Sequence, residues 1–194
     1  MRAYEPLNVD ELGRNAARAL MDYPATELPP NEPFSGSGVY TLHYTGTFHA
    51  YADMDDEEPI YVGKANPPGG RQGRKGASHP DTALHRRLSK HFRSIESVEN
   101  LNARDFRCRW LVLDPVWIGL TEQVLISEYH PIWNVVVDGF GINAPGRGRG
   151  NQVRSRWDTL HPGRPEVANL PDREETAAAI WEAIAAHRQT GRTT

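Results

Sequence analysis

The apolar and polar positions of this chain fall into short blocks of two different periods. Residues 9–22, VDELGRNAARALMD, place Leu12, Ala16, Ala17, Leu20 and Met21 at helical spacing. They predict an amphipathic helix with Asp10 at its N-cap. YPATELPPNEP follows as an extended linker. GVYTLHYTG (38–46) and PIYVGKA (59–65) are rich in β-branched and aromatic residues and lie among Gly and Pro. They predict two strands. Between them, TFHAYADMDDEE ends in acids and reads as a solvated hairpin tip. KANPPGGRQGRKGASHPD is a loop of Gly, Pro and cations. TALHRRLSKHFRSIESV (82–98) returns to the helical period, with Leu84, Leu88, Phe92 and Ile95 as the buried stripe. DFRCRWLVLD (105–114) alternates and then turns continuously apolar, which suits a central strand. PVWIGLTEQVLISEYHP predicts a second helix, with Pro115 in its first turn and Pro131 at its end. A Gly/Arg-rich stretch follows, and PDREETAAAIWEAIAAHRQ (171–189) predicts a C-terminal helix. The order β-β-α-β-α, with an N-terminal helix and a C-terminal helical extension, places the chain in the α+β class.

At 194 residues the chain is long enough for one cored domain with extensions. Its net charge of −3 does not announce a nucleic-acid binder, but the charges are segregated. Residues 64–93 hold Lys64, Arg71, Arg74, Lys75, Arg86, Arg87, Lys90 and Arg93 against one acid, Asp81. Residues 141–164 hold Arg147, Arg149, Arg154, Arg156 and Arg164 against Asp158. A basic face on an acidic protein is an electrostatic footprint for a polyanion. Solvated loops are the bland alternative. The single cysteine, Cys108, can form no internal disulfide, and CxxC spacings are absent. That fits a reducing cytoplasm. The start, MRAYEPLNVDEL, has no apolar leader, and no run approaches a membrane span.

Alternation lets a hairpin hold Tyr40 and Tyr61 on one face. They are either core-edge tyrosines or part of a site. Arg87 and His91 stand four residues apart, one turn apart on one helix face. That face is either solvated or functional. Glu122 lies among Ile118, Leu125, Ile126 and Tyr129. A buried carboxylate there needs a partner or a metal, and an edge Glu needs only a salt bridge. Asn134 follows a breaker in HPIWN.

GVY followed by YVG resembles the paired signature of the GIY-YIG nuclease superfamily. The helix bearing Arg87 and His91, and TEQVLISEYHPIWN with Glu122 and Asn134, fall in that family's order. The resemblance spans about residues 36–136. Valine replaces isoleucine in both signatures and keeps the β-branched character. The long basic loop 64–81 resembles the type II restriction endonucleases of the superfamily, within them the branch with SacII-like specificity for CCGCGG.

The resemblance implies a small mixed sheet flanked by helices. It divides the chain into an N-terminal helix and linker (1–35), a nuclease core (36–136) and a Gly/Arg-rich segment with a C-terminal helix (137–194). It implies site-specific hydrolysis of double-stranded DNA at a palindromic sequence. Arginine reads guanine bidentately, so Arg-rich loops suit a G/C-rich site. Glu122 would hold one Mg²⁺, a hard ion that keeps several waters and adds the phosphate. Arg87 would neutralise phosphate oxygens, and Tyr40 and Tyr61 would position water. Either Tyr40 or His91 would take its proton. Asn134 would hold the site by hydrogen bonds. Lys64, Arg71, Arg74, Lys75, Arg147, Arg149, Arg154 and Arg156 would contact DNA. A homodimer suits a palindrome, and a companion DNA methyltransferase suits a restriction system. A homing or repair nuclease, or a non-catalytic DNA-binding protein, are the alternatives.

Overall fold

The computed structural model describes residues 9–68, 81–141 and 152–191, with the side chains of Val9, Asp10 and Gly191 left out. The first helix starts at Val9, so Asp10 lies inside it rather than at its N-cap, and most of the basic loop 64–81 lies outside the described residues.

Strands β1 (Thr26–Glu27), β2 (Gly38–Tyr44), β3 (Pro59–Ala65) and β4 (Phe106–Val112) form one four-stranded sheet in the order β1-β4-β2-β3. The expected mixed sheet is antiparallel in every pairing. β3 and β4 run in the same direction, but β2 lies between them, so no parallel pair forms. β1 lies inside the Pro-rich stretch read as a linker. Its register, Thr26 opposite Cys108 and Glu27 opposite Arg107, is too short to leave an alternating pattern.

All of β2 is buried, so both faces of the sheet are covered. Tyr40, Leu42 and Tyr44 point into the larger core, with Leu84, Leu88 and Ile95 of α2 (Ala83–Glu96). Val39 points the other way, into a smaller core with Ala17 and Leu20 of α1 (Val9–Asp22) and Ile118 and Leu125 of α3 (Pro115–Tyr129). The stripe expected on α2 is the buried one, with Phe92 at its half-buried margin. Asp114 caps α3 by accepting from the Val116 N–H, and Pro115 opens the helix. α4 (Ile132–Val135) is one turn that buries Ile132 and Trp133.

The chain beyond α4 joins the same core. α5 (Arg156–Leu160) and α6 (Ala177–Gly191) contribute Trp157, Leu160, Ile180 and Ile184 to the cluster that holds Tyr40 and Leu88. α6 begins at Ala177 rather than 171, because Asp172 and Glu175 are drawn into ion pairs with Arg154 and Arg156. Among the described residues no helix is long and apolar enough to cross a membrane.

Candidate active site

The sheet register brings the two signature tyrosines together. Tyr40 lies opposite Gly63 and Tyr61 opposite Leu42, so both rings point to the α2 face, with centroids 6.2 Å apart. A Cβ at Gly63 would collide with the Tyr40 hydroxyl and come within 3.0 Å of the Tyr61 ring. The glycine of the second signature thus makes room for the tyrosine of the first.

One turn apart on α2, Arg87 and His91 converge on the same hydroxyl. The Tyr40 hydroxyl is 2.6 Å from Nε2 of His91. Arg87 Nε donates to it at 3.3 Å, and Arg87 Nη2 donates to the Gly141 carbonyl at 2.8 Å. With Arg87 donating to the Tyr40 oxygen, the His91 tautomer protonated on Nδ1 lets Nε2 accept the phenol hydrogen.

Burial sets the charge states. Tyr40 and His91 are 0% and 1% exposed. Desolvation pushes the Tyr40 phenol well above its ordinary range, Tyr61 adds to the rise, and Arg87 opposes it. Desolvation also raises Tyr61, again opposed by Arg87. His91 is driven well below its ordinary value by burial, then by Arg87 and Lys90. The pair is therefore a protonated phenol beside a neutral imidazole.

Sequence reasoning missed Phe140. It stacks on His91 with centroids 4.6 Å apart and rings 21° from parallel, and meets Tyr61 edge-on at 5.0 Å. Its only trace in the chain is an aromatic residue between two glycines, DGFG. Gly141 beside it admits the Tyr61 hydroxyl, with which a Cβ there would collide. The turn is held from behind by Arg164, which is 6% exposed. The Arg164 guanidinium pairs with Asp158 at 2.7 Å, reaches the Gly139 and Phe140 carbonyls at 3.3 and 3.4 Å, and lies over the Trp157 ring.

Asn134 does not touch the tyrosine hydroxyls. Its side-chain oxygen accepts from the Val62 N–H at 2.8 Å, and its amide nitrogen donates to the Val62 carbonyl at 2.9 Å. β3 is an edge strand, so this amide completes an edge left unpaired by the sheet. Asn134 positions the strand that carries Tyr61.

Glu122 stands on α3 with its side chain 18% exposed, and Lys64 Nζ lies 2.6 Å from its Oε2. Its negative charge reaches Tyr61, whose phenol it disfavours ionising. Among the described residues no group of three or more His, Cys, Asp or Glu could hold a metal. A lone carboxylate oxygen, already facing a cation, fits a hard ion that fills its shell with water and phosphate. It does not fit a zinc-type site, which needs three or four protein ligands.

The cations expected on DNA divide into three groups. Arg71, Arg74, Lys75, Arg147 and Arg149 lie outside the described residues. Lys64 is held by Glu122. Arg154 pairs with Asp172 at 2.8 Å, and Arg156 holds Glu175 through Nε at 2.8 Å and the Val136 carbonyl at 2.8 Å. Both guanidiniums are engaged within the chain, by acids some twenty residues away that no local pattern ties to them.

The arrangement can hold a phosphate beside Arg87, set a water near two phenols and pass a proton to an imidazole. No curated protein matches the chain. The family model of the Eco29kI GIY-YIG domain matches residues 32–188, which run from before β2 to near the end of α6 and take in every residue of this site. The chain belongs to the Eco29kI family of GIY-YIG restriction endonucleases.

Proposed function

We propose that the protein is a type II restriction endonuclease that uses Mg²⁺ to hydrolyse both strands of double-stranded DNA at a palindromic, G/C-rich sequence. The observation that carries this reading is the Tyr40 hydroxyl, held between Nε2 of His91 and Nε of Arg87. Arg87 turns from Tyr40 to the scissile phosphate and uncovers the hydroxyl, which is buried in the free protein. Tyr61, only partly buried, positions the attacking water. As the water oxygen bonds to phosphorus, its proton passes to the Tyr40 oxygen and the Tyr40 hydrogen passes to His91 Nε2. The bond to the leaving oxygen then breaks, and that oxygen takes a proton from solvent. His91, being neutral, is free to accept. The rise in the Tyr40 pKa by burial argues against a standing phenolate and for this relay. Glu122 would hold the metal, which would supply positive charge to the phosphate as negative charge develops. Asn134 keeps β3 in place.

Arg71, Arg74, Lys75, Arg147 and Arg149 contact DNA, a role supported by the segregation of positive charge into their two segments. The palindrome calls for a homodimer, each site cutting one strand, and the system for a methyltransferase that protects the same sequence.

Purified protein with plasmid and Mg²⁺ tests the reading. Discrete fragments support restriction, a smear would mean a nonspecific nuclease, and intact plasmid a binder. Plasmids with and without CCGCGG test the SacII-like specificity. Glu122→Gln should abolish cleavage and keep DNA binding. An excess of that variant mixed with wild type should turn linear products into open circles, and unchanged products would argue against the dimer.

A further inference from the structure

We propose that Lys64 is the resident counter-ion of Glu122, which an incoming divalent cation must displace. The inference rests on the reading of Glu122 as the metal ligand and adds a competitor for that ligand within the chain.

The pair is built rather than incidental. Lys64 follows Gly63 on β3 and lies opposite Val39, so it shares the α3 face of the sheet with Val39 and Val62. Glu122 comes from α3 itself. β3 is pinned two residues earlier, where Asn134 bonds both backbone groups of Val62. Two rigid elements thus present an ammonium and a carboxylate to each other at 2.6 Å. Glu122 is the more deeply placed partner, and Lys64 closes it from the solvent side, at 38% exposed against 18%.

An ammonium 2.6 Å from Oε2 occupies one of the carboxylate's acceptor sites and repels a divalent cation approaching the same group. With Lys64 in place the pair carries no net charge toward an approaching cation, and Oε2 already faces the ammonium. Metal binding is therefore an exchange, in which the ion takes Glu122 and releases Lys64. The freed ammonium keeps its tether on β3 and becomes a donor for a phosphate oxygen. Metal and DNA then favour each other, since each takes one partner of a pair that otherwise holds itself closed.

The test is Mn²⁺ alone on the DNA-free protein, with the unbound ion read by its electron paramagnetic resonance signal. A half-exposed ion pair sets the scale, so Lys64→Met should tighten Mn²⁺ binding about fivefold. Lys64→Arg, which keeps a cation on Glu122, should bind no tighter than wild type. Arg86→Met removes an exposed positive charge from α2 and should change binding less than twofold. Glu122→Gln should weaken binding in every background. An unchanged or weaker affinity in Lys64→Met, with the Glu122→Gln loss intact, overturns the exchange and leaves Glu122 as ligand. An equal gain in Arg86→Met also overturns it, because a general field would then suffice. Mn²⁺ binding that ignores Glu122→Gln overturns the ligand assignment itself.

Discussion

The Tyr40 hydroxyl and Nε2 of His91 lie 2.6 Å apart where solvent does not reach. Burial holds the first protonated and the second neutral. Tyr40→Phe keeps the ring and removes only that hydroxyl. Cleavage should fall at least ~10²-fold, the low end of general acid–base contributions. Circular dichroism should not change. Ultraviolet titration of the wild type should show this phenol un-ionised at pH ~10, where a free tyrosine is half ionised.

Arg87 donates to Tyr40 and to the Gly141 carbonyl, and is the only guanidinium described at the hydroxyl. Loss of a preorganised donor to a developing charge costs on the order of 10²–10³ in rate. Single-turnover cleavage by Arg87→Ala should drop by at least that factor. Near-normal turnover would assign Arg87 to the structure of the turn at Gly141 alone.

Gly63→Ala places a methyl against the Tyr40 hydroxyl. Overpacking of this kind costs about 1–3 kcal/mol. The thermal midpoint should fall, and cleavage should be lost because Tyr40 is driven from His91. Adding Tyr40→Phe removes the oxygen that is struck, so the double variant should recover part of the stability. Strict additivity of the two losses would show that the clash lies elsewhere.

Three buried histidines make the fold acid-sensitive. Burial lowers His43 to about 4 and His161 to about 3, and drives His91 well below its ordinary value. A folded pKa below the unfolded value of ~6.5 means that the unfolded chain takes up protons first as pH falls. Stability from these groups is full above pH ~6.5 and is lost progressively toward the folded values. Urea midpoints should be flat from pH ~7 to 8 and decline between ~6.5 and ~4. His43 faces Arg109 and Thr41, with Glu57 on the far side of the same guanidinium. His43→Gln should reduce the slope by up to ~1.4 kcal/mol per pH unit. An unchanged slope would remove His43 from the account.

What could be read beforehand was whatever repeats locally. The stripe of Leu84, Leu88 and Ile95 states a helix and its buried face. The signatures state two strands and, through alternation, the shared face of Tyr40 and Tyr61. The register that sets Gly63 against Tyr40 is a long-range pairing, so the glycine's purpose could not be seen in YVG. Lys64 and Glu122 meet across a strand and a helix, which made the salt bridge and the site equally plausible for Glu122. The salt bridge is formed, and the metal role is the one proposed above. Arg154 and Arg156 read as DNA contacts, and Arg164 as part of the same basic segment, because their acids, Asp172, Glu175 and Asp158, are chosen by the tertiary fold. Phe140 carried no periodic signal at all.

The turn behind His91 bears on how this nuclease could be moved to another protein. Arg164 grips the carbonyls of Gly139 and Phe140, and Gly141 in turn tethers Arg87. A graft ending just after Asn134 would carry every signature residue and still deliver a slack catalyst, with Trp133 laid open to water. The transplantable cassette extends into α6, and a fusion partner belongs beyond that helix or ahead of β2.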